Sequence, residues 1–200
     1  MTDQTGETAP AATDPRRSSD GDRTPGDQSD RPIEPDSLFA ALTAGAADRP
    51  ESRVLDGLVG DWRVTTRWEP IVGHGVQEHR SESRNRWILR GRVLECRNTD
   101  PAGEETARLQ LAFDPSVGDY AAFSTTVLST FFIVERGGYD PATRSLAVDG
   151  IEPIRREPFS VRYRRTIEFV SDDLHRSTIS YPGAPAGRYG PLSATFERLA

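Results

Sequence analysis

The sequence predicts an all-β protein, an antiparallel up-and-down β-barrel of about ten strands with a short N-terminal helix and a disordered N-terminal tail. Three observations carry this. From about residue 61 onward, apolar and polar side chains alternate with a period of two through ten successive segments. Short runs rich in Gly, Pro, Asp and Ser separate the segments. No helix-length pattern intervenes, so nothing supplies the crossover that parallel pairing needs. Successive strands are then antiparallel neighbours, and closing the meander removes edges that would otherwise pair with other chains.

The first element is the tail, residues 1–50 of 200. It is rich in Asp, Thr, Ser, Gly, Pro and Ala and nearly free of aromatic residues, valine and isoleucine, so it cannot bury enough apolar surface to offset its ordering entropy. Ten acids and five arginines give it -5 of the chain's net charge of -6, leaving the body nearly neutral. A neutral body with interspersed charges argues against nucleic acid or an anionic membrane as partner. Within the tail, DSLFAALTAGAA offers one short helix at 37–46, capped by Asp36 or Ser37. All the basic side chains are arginine, and Cys96 is the single cysteine, which excludes an internal disulfide and leaves no Cys/His metal motif. With no apolar leader and no membrane-length run, the expected location is cytoplasmic.

The body, 51–200, opens on a second helix, PESRVLDGLVG, with Pro50 in its first turn and Gly60 at its end. The strands are expected at about 61–69, 76–87, 92–99, 106–113, 119–127, 130–136, 144–149, 161–170, 174–181 and 191–199. Phe113-Asp-Pro and Tyr139-Asp-Pro each open a tight reversal, since Pro presets φ and Asp bonds back to the backbone.

Parity assigns the inner face. In the first strand Trp62, Val64, Thr66 and Trp68 share one side, and the arginines and Glu69 the other. In the second, Glu78, Arg80, Glu82, Arg84 and Arg86 form a charged outer row, leaving Gln77, His79, Ser81, Ser83, Asn85 and Trp87 inside. A dry core would not select that row, because each unpartnered buried polar group costs about 1–3 kcal/mol; a cavity holding water or ligand would. In the eighth strand Arg165 lies among inward Val161, Tyr163, Ile167 and Phe169, and an inward arginine needs an anionic partner from protein or ligand. His175, Ser177, Ile179 and Tyr181 face in from the ninth strand, and Leu192, Ala194, Phe196 and Arg198 from the tenth. The run STFFIV reads as buried wall, while His74 and Arg155-Arg156-Glu157 read as solvated loop.

A short helix running into Gly60-Asp61-Trp62, then the meander, then Arg198 near the C-terminus resembles the calycin superfamily, the lipocalins and fatty-acid-binding proteins. LDGLVGDWRV, SRNRWILRGRVLEC, LAFDPSVGDYAAF, GGYDPATRSLAVDG and RRTIEFVSDDLHRSTISY are similar to the bacterial calycin-like family known as domain of unknown function 1579, over roughly residues 51–199. The resemblance implies a barrel with an internal cavity, closed at one end by a tryptophan packed on a late arginine, here Trp62 and Arg198. Fatty-acid-binding relatives hold a carboxylate with Arg and Tyr at alternate positions of one strand, and Tyr163 and Arg165 are similar in kind. Haem-binding relatives of nitrobindin type ligate iron through a late-strand histidine, for which His175 is the matching position.

Three functions stay open. The first is binding of a small, mostly apolar or amphipathic molecule whose anionic or carbonyl end is fixed by polar groups. Its site would comprise Trp62, Trp68, His79, Ser81, Ser83, Asn85, Trp87, Tyr163, Arg165, Phe169, His175 and Tyr181. The second is a cofactor-independent cyclase or isomerase, with Arg165 polarising an oxygen and His79, His175 or Tyr181 moving a proton. The third is haem binding through His175; otherwise neither cofactor nor metal is expected. Homodimerisation is an open partnership. No nucleophile elbow, phosphate loop or dinucleotide fingerprint is present.

Overall fold

The computed structural model describes residues 49–69, 73, 75–127, 132–153, 160–182, 184 and 189–200. The tail with its 37–46 helix, His74, the start of STFFIV and Arg155-Arg156-Glu157 lie outside these residues. Ten antiparallel strands close into one barrel: β1 (Gly60–Trp68), β2 (Gln77–Ile88), β3 (Val93–Thr99), β4 (Glu105–Asp114), β5 (Asp119–Thr126), β6 (Ile133–Asp140), β7 (Ser145–Pro153), β8 (Ser160–Ser171), β9 (Leu174–Ser180) and β10 (Leu192–Arg198). Each strand pairs with its chain neighbours, and β1 pairs with β10 from Trp62↔Arg198 to Trp68↔Leu192, which completes the ring.

The Asp-Pro reversals use their aspartates as turn locks. Asp114 Oδ1 accepts from the Ser116 N–H and Asp140 Oδ1 from the Ala142 N–H, each at about a normal bond length (3.0 and 2.9 Å). These bonds, led by the Ser116 and Thr143 hydroxyls, hold both carboxyls below the usual range.

Two boundaries differ from the sequence expectation. The second helix is only one α turn, α1 (Pro50–Arg53), tightening into a 3₁₀ turn over Val54–Leu58. The 3₁₀ repeat stacks residues three apart, and this places Leu55 and Leu58, 0% and 2% exposed, together into the barrel end. Gly60 does not cap this helix. It opens β1 at φ 142°, where a Cβ would collide with the Arg198 guanidinium.

The second difference concerns β6 and β7. The Gly137-Gly138 pair does not break β6 but pairs with Val148 and Ala147, so β6 runs to Asp140. Likewise β7 continues through Gly150 to Pro153, which carries Glu152 into the wall.

Leu55 and Leu58 pack with Leu94, Leu111, Leu146 and Phe169 in the main apolar cluster, and Trp62, Val64 and Ala194 form a second. These fill the helix end of the barrel. Arg198 seals it: its Cζ lies 4.3 Å from the Trp62 ring centroid. Its Nη1 donates to Val59 O (2.8 Å), and Nε and Nη2 donate to Asp172 O (2.9 and 2.7 Å). The ring contact contributes about 0.5–2 kcal/mol and each hydrogen bond about 1 kcal/mol.

Candidate functional site

Beyond this plug the barrel encloses a cavity of about 510 Å³, lined mainly by apolar groups from most of the strands. Leu58, Leu111 and Ile167 border it on the plug side, and Trp68, Tyr181 and Tyr189 also contribute to its wall. The size and composition match small-molecule sites, which combine an apolar wall with a few placed polar groups.

Seven of the twelve candidate ligand contacts line the cavity: Trp68, Ser83, Asn85, Tyr163, Arg165, His175 and Tyr181. Five do not. Trp62 is fully buried beneath the cavity, donating its indole N–H to Leu58 O (2.9 Å). Trp87 packs against the plug and donates to Asp56 Oδ1 (2.8 Å). Phe169 belongs to the main cluster, and Ser81 is buried off the cavity. His79 is exposed, which corrects its inward assignment. The cause is register: β3 pairs with β2 only from Glu82 onward, so exposed residues 77–80 have β1 alone beside them.

The polar row of β2 also has a different use from the one expected. Ser83 Oγ donates to Asn85 Oδ1 (2.7 Å), and Asn85 Nδ2 donates to Leu58 O (2.8 Å). Both side chains are 2% exposed, so this row ties the helical plug to the wall.

Arg165 has its anionic partner within the chain. Its Nε donates to Glu135 Oε1 at 2.8 Å; Glu135 is 0% exposed and Arg165 17%. Burial opposes the arginine's charge, and Glu135 more than offsets that, so the guanidinium stays charged. Arg165 lines the cavity, and the Tyr163 hydroxyl beside it adds to the support of its charge. Tyr163 completes the group. Among the described residues its hydroxyl and Glu135 Oε2 are both buried without a geometric hydrogen-bond partner, and burial, with Glu135 nearby, pushes the phenol up. Gly150 makes room for it, since a Cβ there would stand 2.8 Å from the Tyr163 ring.

A second acidic group lies in the same wall. Tyr181 donates to Glu152 Oε2 at 3.4 Å. Burial raises the Glu152 carboxyl, opposed by that bond and by Arg165, and burial pushes Tyr181 up to about 12. Sequence reasoning missed both glutamates. Glu135 sits two residues from inward Ile133, and that parity was its available signal.

His175 lies between two rings, stacked on Phe196 (4.3 Å) and edge-on to Trp62 (4.4 Å). Burial, with Arg198 nearby, pushes it down to about 3, so it is neutral at physiological pH and no proton donor there. Nor does it fit an axial haem ligand. Such a histidine donates its second nitrogen to an acceptor that fixes its tautomer, whereas Nδ1 here, in a residue 3% exposed, is buried without one among the described residues. Among the described residues no three His, Cys, Asp or Glu side chains gather to hold a metal. Cys96, also in the wall, is pushed up to about 12 by burial and is unreactive as a thiolate.

The model of the family described as protein of unknown function (DUF1579) matches residues 48–192, and the chain belongs to that family. Its barrel is similar in fold to the crystal structure of Rv2717c from M. tuberculosis, at TM-score 0.51 and 15% identity. That similarity covers 76% of this chain and 99% of Rv2717c, and at this identity it concerns the fold alone. No curated protein matches the chain.

Proposed function

We propose that this DUF1579 member binds one small, mostly apolar molecule inside its barrel, with an oxygen of the ligand held by the terminal nitrogens of Arg165. The single observation behind this reading is a cavity of about 510 Å³ whose mainly apolar wall includes one charge-compensated arginine, Arg165. Apolar burial drives entry, at about 25 cal/mol per Å², and the arginine sets orientation.

Displacement of the neutral dye Nile red by methyl decanoate tests it. Saturable one-to-one displacement is expected, weakened roughly tenfold or more in Glu135→Leu/Arg165→Met, since a hydrogen bond to a charged donor contributes about 1.5–3 kcal/mol. Arg164→Met is the control, because Arg164 points outward onto Asp149 (2.8 Å). Absence of saturable binding, or equal losses in the two variants, overturns the reading.

A second reading, proton transfer on a bound carbonyl compound, has one observation in its favour. Glu152, its carboxyl raised by burial, shares the cavity wall with Arg165 and Tyr181. Deuterium exchange from solvent into the α-carbon of 2-decanone, abolished in Glu152→Gln, is its expected signature; no exchange above the background rate removes it.

A further inference from the structure

We propose that Glu135 sets the charge specificity of the cavity: by compensating Arg165 it makes the barrel accept an uncharged carbonyl- or hydroxyl-bearing molecule and reject the matching carboxylate. This rests on the cavity-binding reading above and names the ligand class for it.

The argument is one of local charge. Among the described residues, three ionisable side chains of the Arg, Asp or Glu type line the cavity: Arg108, Glu152 and Arg165. Arg108 is committed elsewhere, with Nε and Nη2 donating to Glu105 at 2.8 and 2.9 Å and Nη1 3.5 Å from Glu95. Arg165 is compensated by Glu135, which at 0% exposure has no solvent to turn to and holds Nε at 2.8 Å. Glu152 adds acid to the same wall.

Among the described residues a ligand carboxylate therefore meets no uncompensated cation, and it brings a further negative charge beside Glu135 and Glu152. Its lost hydration is not repaid, which is the condition under which a charge is excluded from an apolar site. A carbonyl or hydroxyl oxygen needs an N–H donor but no countercharge, and the terminal nitrogens of Arg165 supply one. An arginine on a barrel strand beside a tyrosine looks like a fatty-acid clamp; the carboxylate behind it reverses that preference.

Decanoate and methyl decanoate share a chain and a carbonyl and differ in charge. Each is titrated at pH 8 against Nile red bound to the full chain, in the wild type and in Glu135→Gln, which keeps an amide oxygen for Arg165 Nε and removes the charge. In the wild type the ester is expected to displace the dye at least tenfold more effectively than decanoate. In Glu135→Gln the gap should close or invert, with ester binding within about threefold of wild type. Equal displacement by the two ligands in the wild type overturns the inference and leaves cavity binding standing. An unchanged ratio in a Glu135→Gln protein with wild-type near-UV circular dichroism overturns it as well. If Glu135→Gln does not fold, the wild-type ratio decides alone. Failure of both ligands and the dye to bind overturns the cavity reading itself, and this inference with it.

Discussion

Removing Glu135 should destabilise the barrel far more than removing Glu135 and Arg165 together. Glu135→Ala leaves a charged guanidinium in a wall where it is 17% exposed. Breaking a buried pair from one side costs about 3–5 kcal/mol, and because Arg165 can turn partly toward the cavity we place this variant near 3 kcal/mol. Arg165→Met strands a carboxylate at 0% exposure and belongs near 5 kcal/mol. Glu135→Leu/Arg165→Met leaves no charge behind and should fall within about 1 kcal/mol of wild type, or above it. Urea unfolding followed by circular dichroism and tryptophan fluorescence reads all three, with an unchanged m-value as the two-state check. In a domain of this size about 3 kcal/mol lowers Tm by roughly 6–12 °C. Single variants both within about 1 kcal/mol of wild type, or a double variant worse than either single, would refute the claim that the two residues form one neutral unit.

Other parts of the account predict further outcomes. His175, held at about 3 in the folded state against an ordinary value near 6.5, binds fewer protons folded than unfolded, so stability is lost as pH falls below about 6.5. The loss approaches about 1.4 kcal/mol per pH unit, or on the order of 2 kcal/mol by pH 5. His175→Gln should flatten that slope in urea unfolding at pH 7 and 5, and an equal slope in both proteins counts against it. Arg198→Met removes the bonds to Val59 and Asp172 and the indole contact, an expected loss of about 2–4 kcal/mol that Arg198→Lys restores only in part; a loss under about 1 kcal/mol contradicts the closure role. Gly150→Ala pushes a methyl into the Tyr163 ring and should cost about 1–3 kcal/mol, relieved by adding Tyr163→Val. Hemin titration should show no Soret shift that depends on His175; a shift lost in His175→Gln contradicts the reading of that residue.

The ten strands were legible because period-two alternation and Asp-, Gly- and Pro-rich turns agree along the whole body. Parity was also enough to place Arg165, Tyr163, His175 and Tyr181 on the inner side. What parity does not report is where along a strand the wall ends. His79 has the inward parity of Ser83, yet β3 reaches only to its partner Glu82. Ser83 and Asn85 are polar because the Leu58 carbonyl of the helical plug, which also accepts from Trp62, is bonded by Asn85, a partner far away in sequence. Glu135 fell within the expected sixth strand with inward parity and was passed over, whereas Glu152 was hidden by a glycine, lying past the expected end of the seventh strand. Gly137-Gly138 and Gly150 look like strand ends in sequence, but the strands continue through them, with the Ala147 backbone close on Gly137 and the Tyr163 ring close on Gly150.

The central claim, that the barrel holds an uncharged oxygen-bearing apolar molecule on Arg165, is tested most directly by a crystal structure of the protein with methyl decanoate. The account predicts the chain of the ester within the cavity and its carbonyl oxygen within about 3.2 Å of a terminal nitrogen of Arg165, with the Glu135–Arg165 bond intact. An ester bound on the outer surface, or a cavity occupied by water alone at saturating ester, would contradict it.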